Sequence, residues 1–309
     1  MKRRLWRGLF GGILLITLLG VSGIGWWLWT DYQKRLNFKP EGQIVYECWP
    51  ERRNSKICLI NADRTGYKQL TDEPSRSPTW LPDGKHIAFM GSKLTVIDVD
   101  NSAVKSLDFD KGGQFVWSPN GQQIVFVRSG SKLRPYTERD EIAGLYIINA
   151  DGSNEIRLTN FTTYNPSWSP DAKHVAFISY LDEEGREPRV FIISPDGAEV
   201  KQITNTYSRT ASWSPDSKQL VFTCITEKSR GGICVINVDG SGLIQLTYSH
   251  EQSPTWSPDG KYIAYWGSDP LCFLCNLSGQ LWIMKADGSY QQRLTNGPVD
   301  MNPAWRPTK

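Results

Sequence analysis

The sequence predicts an all-β fold, a six-bladed β-propeller, and three observations lead to this prediction. A Trp-x-Pro motif occurs six times, and successive motifs lie 37, 51, 45, 43 and 49 residues apart. A period of this length is typical of propeller blades. The 27 Gly and 18 Pro indicate many turns and leave little room for long helices. The motif residues are Trp80, Trp117, Trp168, Trp213, Trp256 and Trp305.

Each repeat unit is predicted to form four antiparallel strands, as the last complete unit illustrates. Its first strand contains the Trp and ends at Ser-Pro-Asp-Gly (257–260), where Pro and Gly favour a tight turn. The second strand is the apolar run 263–265, and the third covers 281–285. Asp287-Gly288 then allows the positive φ of a hairpin, and the fourth strand closes at Leu294-Thr295. Four such strands make one propeller blade.

The two ends of the repeat array are complementary. The array begins at Ile44 with a second strand, and no Trp strand precedes it. It ends with the first strand that contains Trp305, and no second strand follows. If this last strand completes the first blade, the ring closes and no sheet edge is left open at the junction. We therefore expect one propeller domain over residues 42–309, closed by the C-terminal strand.

The full repeat, Trp-Ser-Pro-Asp-Gly-Lys at 256–261 followed by Ile-Ala-Tyr, Asp-Gly and Leu-Thr, resembles that of the TolB-like, WD-repeat-like propellers. The resemblance covers residues 42–308 and recurs six times. It implies a propeller fold. It is less specific for function, because this repeat occurs in binding proteins and in domains attached to hydrolases.

The first 41 residues predict a membrane anchor. Residues 8–30 contain no charged side chain, and 23 residues at about 1.5 Å rise span about 35 Å, enough for a bilayer core of about 30 Å. Residues 1–7 form a basic tail that should stay in the cytoplasm, which places the propeller outside. Residues 31–41 are then a short stalk. A cleaved signal peptide is the alternative, although Trp26, Trp27 and Trp29 occupy the region of the cleavage site.

The distribution of charge argues against a nucleic-acid partner. Four of the 35 basic residues precede residue 8, which leaves 31 basic against 32 acidic side chains in the rest of the chain. Nucleic-acid binding relies on a cationic surface. The predicted propeller has no such excess of positive charge.

The six cysteines suggest local disulfides. Cys48 and Cys58 occupy the second and third strands of blade one, and Cys224 and Cys234 occupy the same places in blade five. Neighbouring antiparallel strands bring facing Cβ atoms to about 4.5–5.5 Å, close to the separation that a disulfide needs. Cys272 and Cys275 share one loop of blade six. Three pairs fit an oxidising compartment. Free buried thiols are the main alternative, and a metal site is less favoured.

No catalytic motif was found in the sequence. It has no G-x-S-x-G, no H-E-x-x-H and no Gly-rich phosphate loop. His86 and His174 occupy the repeat position that Tyr262 fills in another blade, so we interpret them as structural residues. We expect a non-enzyme without cofactor or metal.

The predicted binding surface lies where the loops are long and irregular. These loops include 129–144, 180–189 and 267–280, and they emerge opposite the short turns. The residues four positions before each Trp should surround the channel mouth on that face. Two Arg and one Tyr there could hold a carboxylate or a peptide terminus, unless the Arg pair with Asp72 or Glu251. The candidate binding residues are Arg76, Tyr164, Arg209, Gln252 and His250.

The sequence therefore predicts a single-pass protein of the cytoplasmic membrane with its propeller on the periplasmic or extracellular side. Its expected function is that of a non-catalytic scaffold that binds an envelope or extracellular protein. A propeller that senses a ligand or glycan is the alternative. A hydrolase- or lyase-related propeller is the least favoured interpretation.

Overall fold

A computed structural model describes residues 38–51, 54–106, 113–128, 143–180, 187–226, 231–249, 251–267 and 279–308. The predicted basic tail, the membrane anchor and most of the stalk lie outside these residues, as do His250, Cys272 and Cys275. Within the described part of the chain there are only strands and turns, and no helix is long and apolar enough to cross a membrane. Residues 41–309 form one compact unit.

The described residues contain twenty-four strands, numbered here in chain order. The first twelve are β1 (Gln43–Glu51), β2 (Asn54–Asn61), β3 (Lys68–Gln69), β4 (Arg76–Trp80), β5 (His86–Met90), β6 (Leu94–Asp98), β7 (Val104–Ser106), β8 (Phe115–Trp117), β9 (Gln123–Arg128), β10 (Gly144–Asn149), β11 (Ile156–Arg157) and β12 (Thr163–Trp168). The others are β13 (Val175–Ser179), β14 (Arg189–Ile193), β15 (Val200–Gln202), β16 (Tyr207–Trp213), β17 (Gln219–Ile225), β18 (Ile233–Asn237), β19 (Ile244–Gln245), β20 (Gln252–Trp256), β21 (Tyr262–Gly267), β22 (Gln280–Lys285), β23 (Gln292–Arg293) and β24 (Asp300–Trp305).

The strands form six four-stranded antiparallel sheets, one for each blade. Blades two to six are continuous in sequence, from β4–β7 to β20–β23. Blade one has the order β24-β1-β2-β3, so the C-terminal strand lies beside the first strand of the chain. Ile44 pairs with Trp305 in this sheet. The predicted closure of the ring is confirmed.

Apolar clusters between the blades hold the ring together. One cluster joins blades one and two through Val45, Leu59, Ile87 and Phe89, which are all at most 5% exposed. Equivalent clusters join blades two to three, three to four, four to five, and five to six. Burial of these side chains is the main stabilising contribution. Each large apolar side chain that leaves water stabilises the fold by about 1.5–3 kcal/mol.

The indole N–H of the repeated Trp links neighbouring blades. The indole N–H of Trp80 donates to the carbonyl oxygen of Ala304 at 3.2 Å, across the boundary between blades one and two. Trp213 donates in the same way to Ser167 at 3.0 Å. In both cases the acceptor immediately precedes the Trp of the neighbouring blade.

The Ser-Pro-Asp-Gly segments form the predicted turns. Ser257 donates to Asp259 at 2.6 Å and accepts the backbone N–H of Tyr262 at 2.9 Å. Gly260 has a φ of +70°, where a glycine is favoured. The first and second strands of the blade are therefore joined by a compact turn that its own side chains stabilise.

The Leu-Thr motif of the fourth strand ties that strand to the start of the third. In five blades the Thr hydroxyl accepts a backbone N–H at 2.9 to 3.0 Å. The donor–acceptor pairs are Ile57–Thr71, Leu145–Thr159, Val190–Thr204, Ile233–Thr247 and Leu281–Thr295.

Two of the predicted disulfides are present, Cys48–Cys58 and Cys224–Cys234, both with a Cα–Cα distance of 5.8 Å. Their geometry differs from the expected facing pair. Cys48 faces Lys56, and Cys58 faces Tyr46, so the disulfide joins diagonal neighbours on adjacent strands. The diagonal arrangement still gives the Cα separation that a disulfide needs.

Candidate functional site

The innermost strands share an irregularity close to their first residue. In five blades the residue three positions before the Trp has a positive φ of 31° to 53°, which is uncommon for residues other than glycine. The pairing with the second strand is out of register at the same place. Such a bulge bends the strand and redirects its side chains. The residues are Ser77, Asn165, Thr210, Ser253 and Asn302.

The segments that begin at these bulges line a central cavity of about 260 Å³. All six blades contribute to it. At the third position before the Trp every blade has a neutral polar residue, and these are Ser77, Gln114, Asn165, Thr210, Ser253 and Asn302. We call these six residues the polar ring. Hydroxyl and amide groups can donate and accept hydrogen bonds, so the ring suits amide or hydroxyl groups of a ligand.

Side-chain hydrogen bonds connect members of the polar ring across blade boundaries. The Gln114 amide donates to Asn165 Oδ1 and accepts the Asn165 backbone N–H, both at 2.5 Å. Ser253 Oγ donates to Asn302 Oδ1 at 3.2 Å. These bonds position the ring and couple blade three to four and blade six to one.

Glu47 supports the polar ring from the second strand of blade one. It is 5% exposed, and its Oε1 accepts the backbone N–H of Ser77 at 2.6 Å and the Asn302 amide at 3.0 Å. Glu47 was not among the residues predicted from the sequence. A signal was available, because Glu47 occupies the repeat position that Val127 and Thr223 fill elsewhere.

The structure places the four described candidate residues just outside the polar ring. Arg76, Tyr164, Arg209 and Gln252 lie immediately before its members in sequence, and none of them lines the cavity. Tyr164 is half-buried and packs edge-on against Tyr180, with 6.2 Å between the ring centroids. His250, the fifth candidate, lies outside the described residues.

Both arginines at this end of the channel are exposed, and neither forms an ion pair with a described residue. The two acidic residues that the sequence offered as alternative partners of these arginines form hydrogen bonds with other residues. Glu251 accepts hydrogen bonds from Thr247 and Ser249, and Asp72 accepts one from Gln69. The Arg209 guanidinium lies 5.3 Å from the Tyr207 ring centroid. Two guanidinium groups are thus available to a ligand at this end.

The opposite end of the channel is a funnel of about 500 Å³ that the Trp-x-Pro motifs line. Each blade contributes its Trp and the Pro two positions later. The prolines are Pro82, Pro119, Pro170, Pro215, Pro258 and Pro307. This end is repetitive, in contrast to the varied residues at the other end.

The two described histidines lie near the short turns. His86 Nδ1 is 2.6 Å from Asp83 Oδ2, and His174 stacks on Trp213 with 6.2 Å between the ring centroids. Neither lines the central cavity. Among the described residues, no group of three His, Cys, Asp or Glu side chains is arranged to hold a metal ion.

Comparisons with solved structures show which proteins share this fold. TolB from Acinetobacter baumannii superposes with a TM-score of 0.72 at 21% identity, over 86% of this chain and 67% of that chain. A putative TolB from Agrobacterium tumefaciens gives 0.66 at 18% identity, over 86% and 94%. Oligogalacturonate lyase in complex with manganese gives 0.55 at 16% identity, over 82% and 74%. At such identities the likeness concerns the fold alone.

A family profile agrees with the likeness to the TolB structures. No curated protein sequence matches the chain. The profile of the TolB beta propeller domain matches residues 129–309, which is more than half of the chain. The chain therefore belongs to the TolB beta propeller domain family.

Proposed function

We propose that this protein is a non-catalytic interaction scaffold of the cell envelope. In this proposal a polypeptide segment of a partner protein binds at the end of the channel where the polar ring lies. The observation that carries the proposal is the contrast between the two ends of the channel. One end repeats the same Trp and Pro in every blade, whereas the other combines neutral polar groups with two guanidinium groups that form no ion pair with a described residue.

A peptide fits the chemistry of this end of the channel. Its backbone amides would exchange hydrogen bonds with the polar ring, and a carboxylate from its terminus or a side chain would bind Arg76 or Arg209. Arg binds carboxylates in a bidentate manner with defined orientation. Tyr164 and Gln252 border the same end and would contact the segment that continues outward.

The topology supports an orientation in which this end points away from the membrane. Gly42, where the propeller begins, lies next to Trp305, and the Arg306 N–H donates to the Gln43 carbonyl oxygen at 2.8 Å. Both ends of the propeller are therefore at the Trp-x-Pro end of the channel. If residues 8–30 anchor the chain in the cytoplasmic membrane, the polar ring faces the periplasmic or extracellular side.

The anchor can be tested separately. After alkaline extraction of native membranes, an anchored protein should stay in the membrane fraction with the mass of the full chain. A cleaved signal peptide would instead give a soluble protein that lacks roughly the first thirty residues.

A sensor for a ligand or glycan is the second candidate, because sugar hydroxyls could also bind a ring of neutral polar groups. A peptide partner is favoured by Arg76 and Arg209, which have no ion pair among the described residues and to which a neutral glycan would offer no carboxylate.

Site-specific photo-crosslinking in native membranes tests the proposal. A photoreactive residue replaces Gln252 at the polar-ring end or Asp239 in a short turn at the opposite end. We expect a discrete protein adduct from position 252 and none from position 239. The substitutions Arg76→Glu and Arg209→Glu together should abolish the adduct, because both charges would then repel the carboxylate. The matched control is Lys85→Glu in a short turn, which should leave the adduct unchanged. Arg306→Glu is unsuitable as a control, because it would perturb the ring closure.

Adducts from position 239 alone would overturn the choice of binding end. Protein adducts from position 252 that persist after both Arg substitutions would remove the role assigned to Arg76 and Arg209. A crosslinked glycan in place of a protein would support the second candidate.

A further inference from the structure

A cavity of about 630 Å³ lies in the cleft between blades one and six, away from the central channel. This volume falls within the range of about 300–1,000 Å³ that is usual for small-molecule sites. Tyr46, Ile60 and Leu294 form a buried base, and Tyr67, which is 59% exposed, stands at the rim. The base is thus largely apolar, and aromatic surface borders the opening.

The rim carries an arginine in a strained backbone conformation. Arg64 has a φ of +75° in the turn between the third and fourth strands of blade one. Its N–H donates to the Asn61 carbonyl oxygen at 2.9 Å, as the N–H of Gly152 does to Asn149 in blade three. Blades four to six also have a glycine at this turn position, with φ between 76° and 93°, namely Gly197, Gly240 and Gly288. The hairpin of blade two instead has Ser102, with a φ of +59°.

An L-residue in this region of φ is strained, because its Cβ lies too close to the following carbonyl oxygen. Blade one therefore accepts a local cost that four other blades avoid with glycine. Strain of this kind is concentrated at functional sites, where the structure holds a particular side chain in place. Here the side chain that is held is a guanidinium on the rim of a cavity.

The charges around the cavity favour an anionic ligand. The Arg64 guanidinium faces the side-chain oxygen of Gln292 at 2.9 to 3.0 Å, once the amide is oriented to satisfy both groups, and it has no ion pair among the described residues. Arg293 lines the same cavity. Among the described residues of the lining the one carboxylate is that of Asp300, which is 2% exposed and accepts the Gly297 N–H at 3.2 Å. Positive charge is therefore at the accessible rim.

From the cavity, the strained Arg64 and this arrangement of charge, we infer that the cleft between blades one and six is a second binding site, for a small ligand with one carboxylate and an apolar or aromatic body. The carboxylate would bind Arg64 at the rim, and the body would contact Tyr67, Tyr46 and Leu294. A dianionic group such as phosphate fits less well, because the Asp300 carboxylate lies in the same lining and would repel the additional charge.

The test compares two probes that differ only in charge. N-acetyl-L-tyrosine and N-acetyl-L-tyrosinamide are titrated into the full-length protein in detergent, and binding is followed by calorimetry. We expect the acid to bind and the amide to bind at least about tenfold more weakly, because the amide lacks the charge-assisted bond to Arg64.

Arg64→Gly separates binding from folding. The substitution removes the guanidinium and relieves the strain, so the acid should bind at least about tenfold more weakly while the melting temperature stays equal or rises. Asn154→Gly is the matched control. Asn154 also has a positive φ, of 52°, in an exposed turn of blade three, so this variant should bind the acid as the wild type does.

Three results would overturn the inference. They are the absence of calorimetric binding of the acid to the wild type, equal affinity for the acid and the amide, and unchanged affinity in the Arg64→Gly variant. A lower melting temperature of that variant would show that Arg64 serves to hold the cleft through Gln292. Photo-crosslinking at position 252 reports on the channel end alone, so failure of this inference and failure of the proposed function are distinguishable.

Discussion

The Trp305 indole N–H donates to the carbonyl oxygen of Thr255 at 3.2 Å, across the boundary between blades one and six. Trp168 is buried to the same extent, 7% exposed, but its indole nitrogen has no hydrogen-bond partner in the described structure. The repeated Trp thus forms a hydrogen bond to the neighbouring blade at one position and only packs at another.

This difference predicts unequal effects of two equivalent substitutions. Trp305→Phe and Trp168→Phe remove similar apolar area, but only the first breaks a hydrogen bond of the indole N–H. We expect Trp305→Phe to lower the free energy of unfolding by about 1 kcal/mol more than Trp168→Phe. Urea unfolding of both variants measures this difference, and equal losses would contradict a stabilising role of the N–H between blades one and six.

Glu47 is expected to act as a hydrogen-bond acceptor and not as a charge. Glu47→Ala leaves the Ser77 N–H and the Asn302 amide without their acceptor and should cost about 2–4 kcal/mol. Glu47→Gln keeps an acceptor oxygen and should cost less than about 1 kcal/mol. Urea unfolding distinguishes the two. A loss in Glu47→Gln as large as that in Glu47→Ala would show that the negative charge itself is required.

The short turns predict a stabilising substitution. Ala172 has a φ of +59° at the turn position where Gly260 has +70°. Ala172→Gly should therefore raise the free energy of unfolding by about 0.5–1 kcal/mol, and Gly260→Ala should lower it by about 1 kcal/mol. Thermal unfolding of the pair provides the measurement. Loss of stability in both variants would mean that the methyl contacts of Ala172 outweigh its backbone strain.

Acid should destabilise the propeller through its hairpin turns. The Ser241 hydroxyl and backbone N–H bind the Asp239 carboxylate and lower its pKa, and Ser153 does the same for Asp151. A lowered folded-state pKa contributes stability above the unfolded value of about 3.9, and this contribution is lost as pH falls through the folded value. The urea midpoint should therefore fall as pH decreases below about 5.

Ser241→Ala checks the cause of that pH dependence. Without the hydroxyl, the pKa of Asp239 should move back toward its ordinary value, which NMR titration of the carboxyl group measures. The Asp151 carboxyl serves as an internal control and should titrate as in the wild type. An unchanged pKa of Asp239 would contradict the role of the Ser241 hydroxyl.

The disulfides predict a specific mass-spectrometric result. Protein recovered from its native envelope, alkylated without reduction, should contain the Cys48–Cys58 and Cys224–Cys234 links. Replacing Cys224 and Cys234 by Ser should cost about 2–3 kcal/mol, as expected for a short loop. Alkylation of both pairs in the recovered protein would argue against an oxidising compartment and hence against export.

The fold was predictable because its signals are local. Pro and Gly at the turns and the apolar second strands repeat at fixed offsets, and each has a conformational cause within a few residues. The complementary ends of the array, Ile44 and Trp305, also indicated the ring closure. Such features need no knowledge of neighbouring blades.

The candidate site was less accessible to sequence reasoning. Arg76 and Arg209 were predicted to surround the channel mouth, whereas the residues that line the cavity begin one position later, at the bulges of Ser77 and Thr210. A bulge depends on the register with the next strand, which hydrophobic alternation does not reveal. Arg64 was missed for a different reason, because its strain is evident only when its φ is measured.

The position of β24 has a consequence for the order in which the protein is made. The ribosome makes β24 after every other strand of the propeller, so β1 stays without its inner neighbour until residues 300–305 have been added. Glu47 likewise lacks its Asn302 partner until then. The nascent propeller therefore stays an open arc with an unpaired inner edge at β1, and addition of β24 converts it into a closed ring in one step.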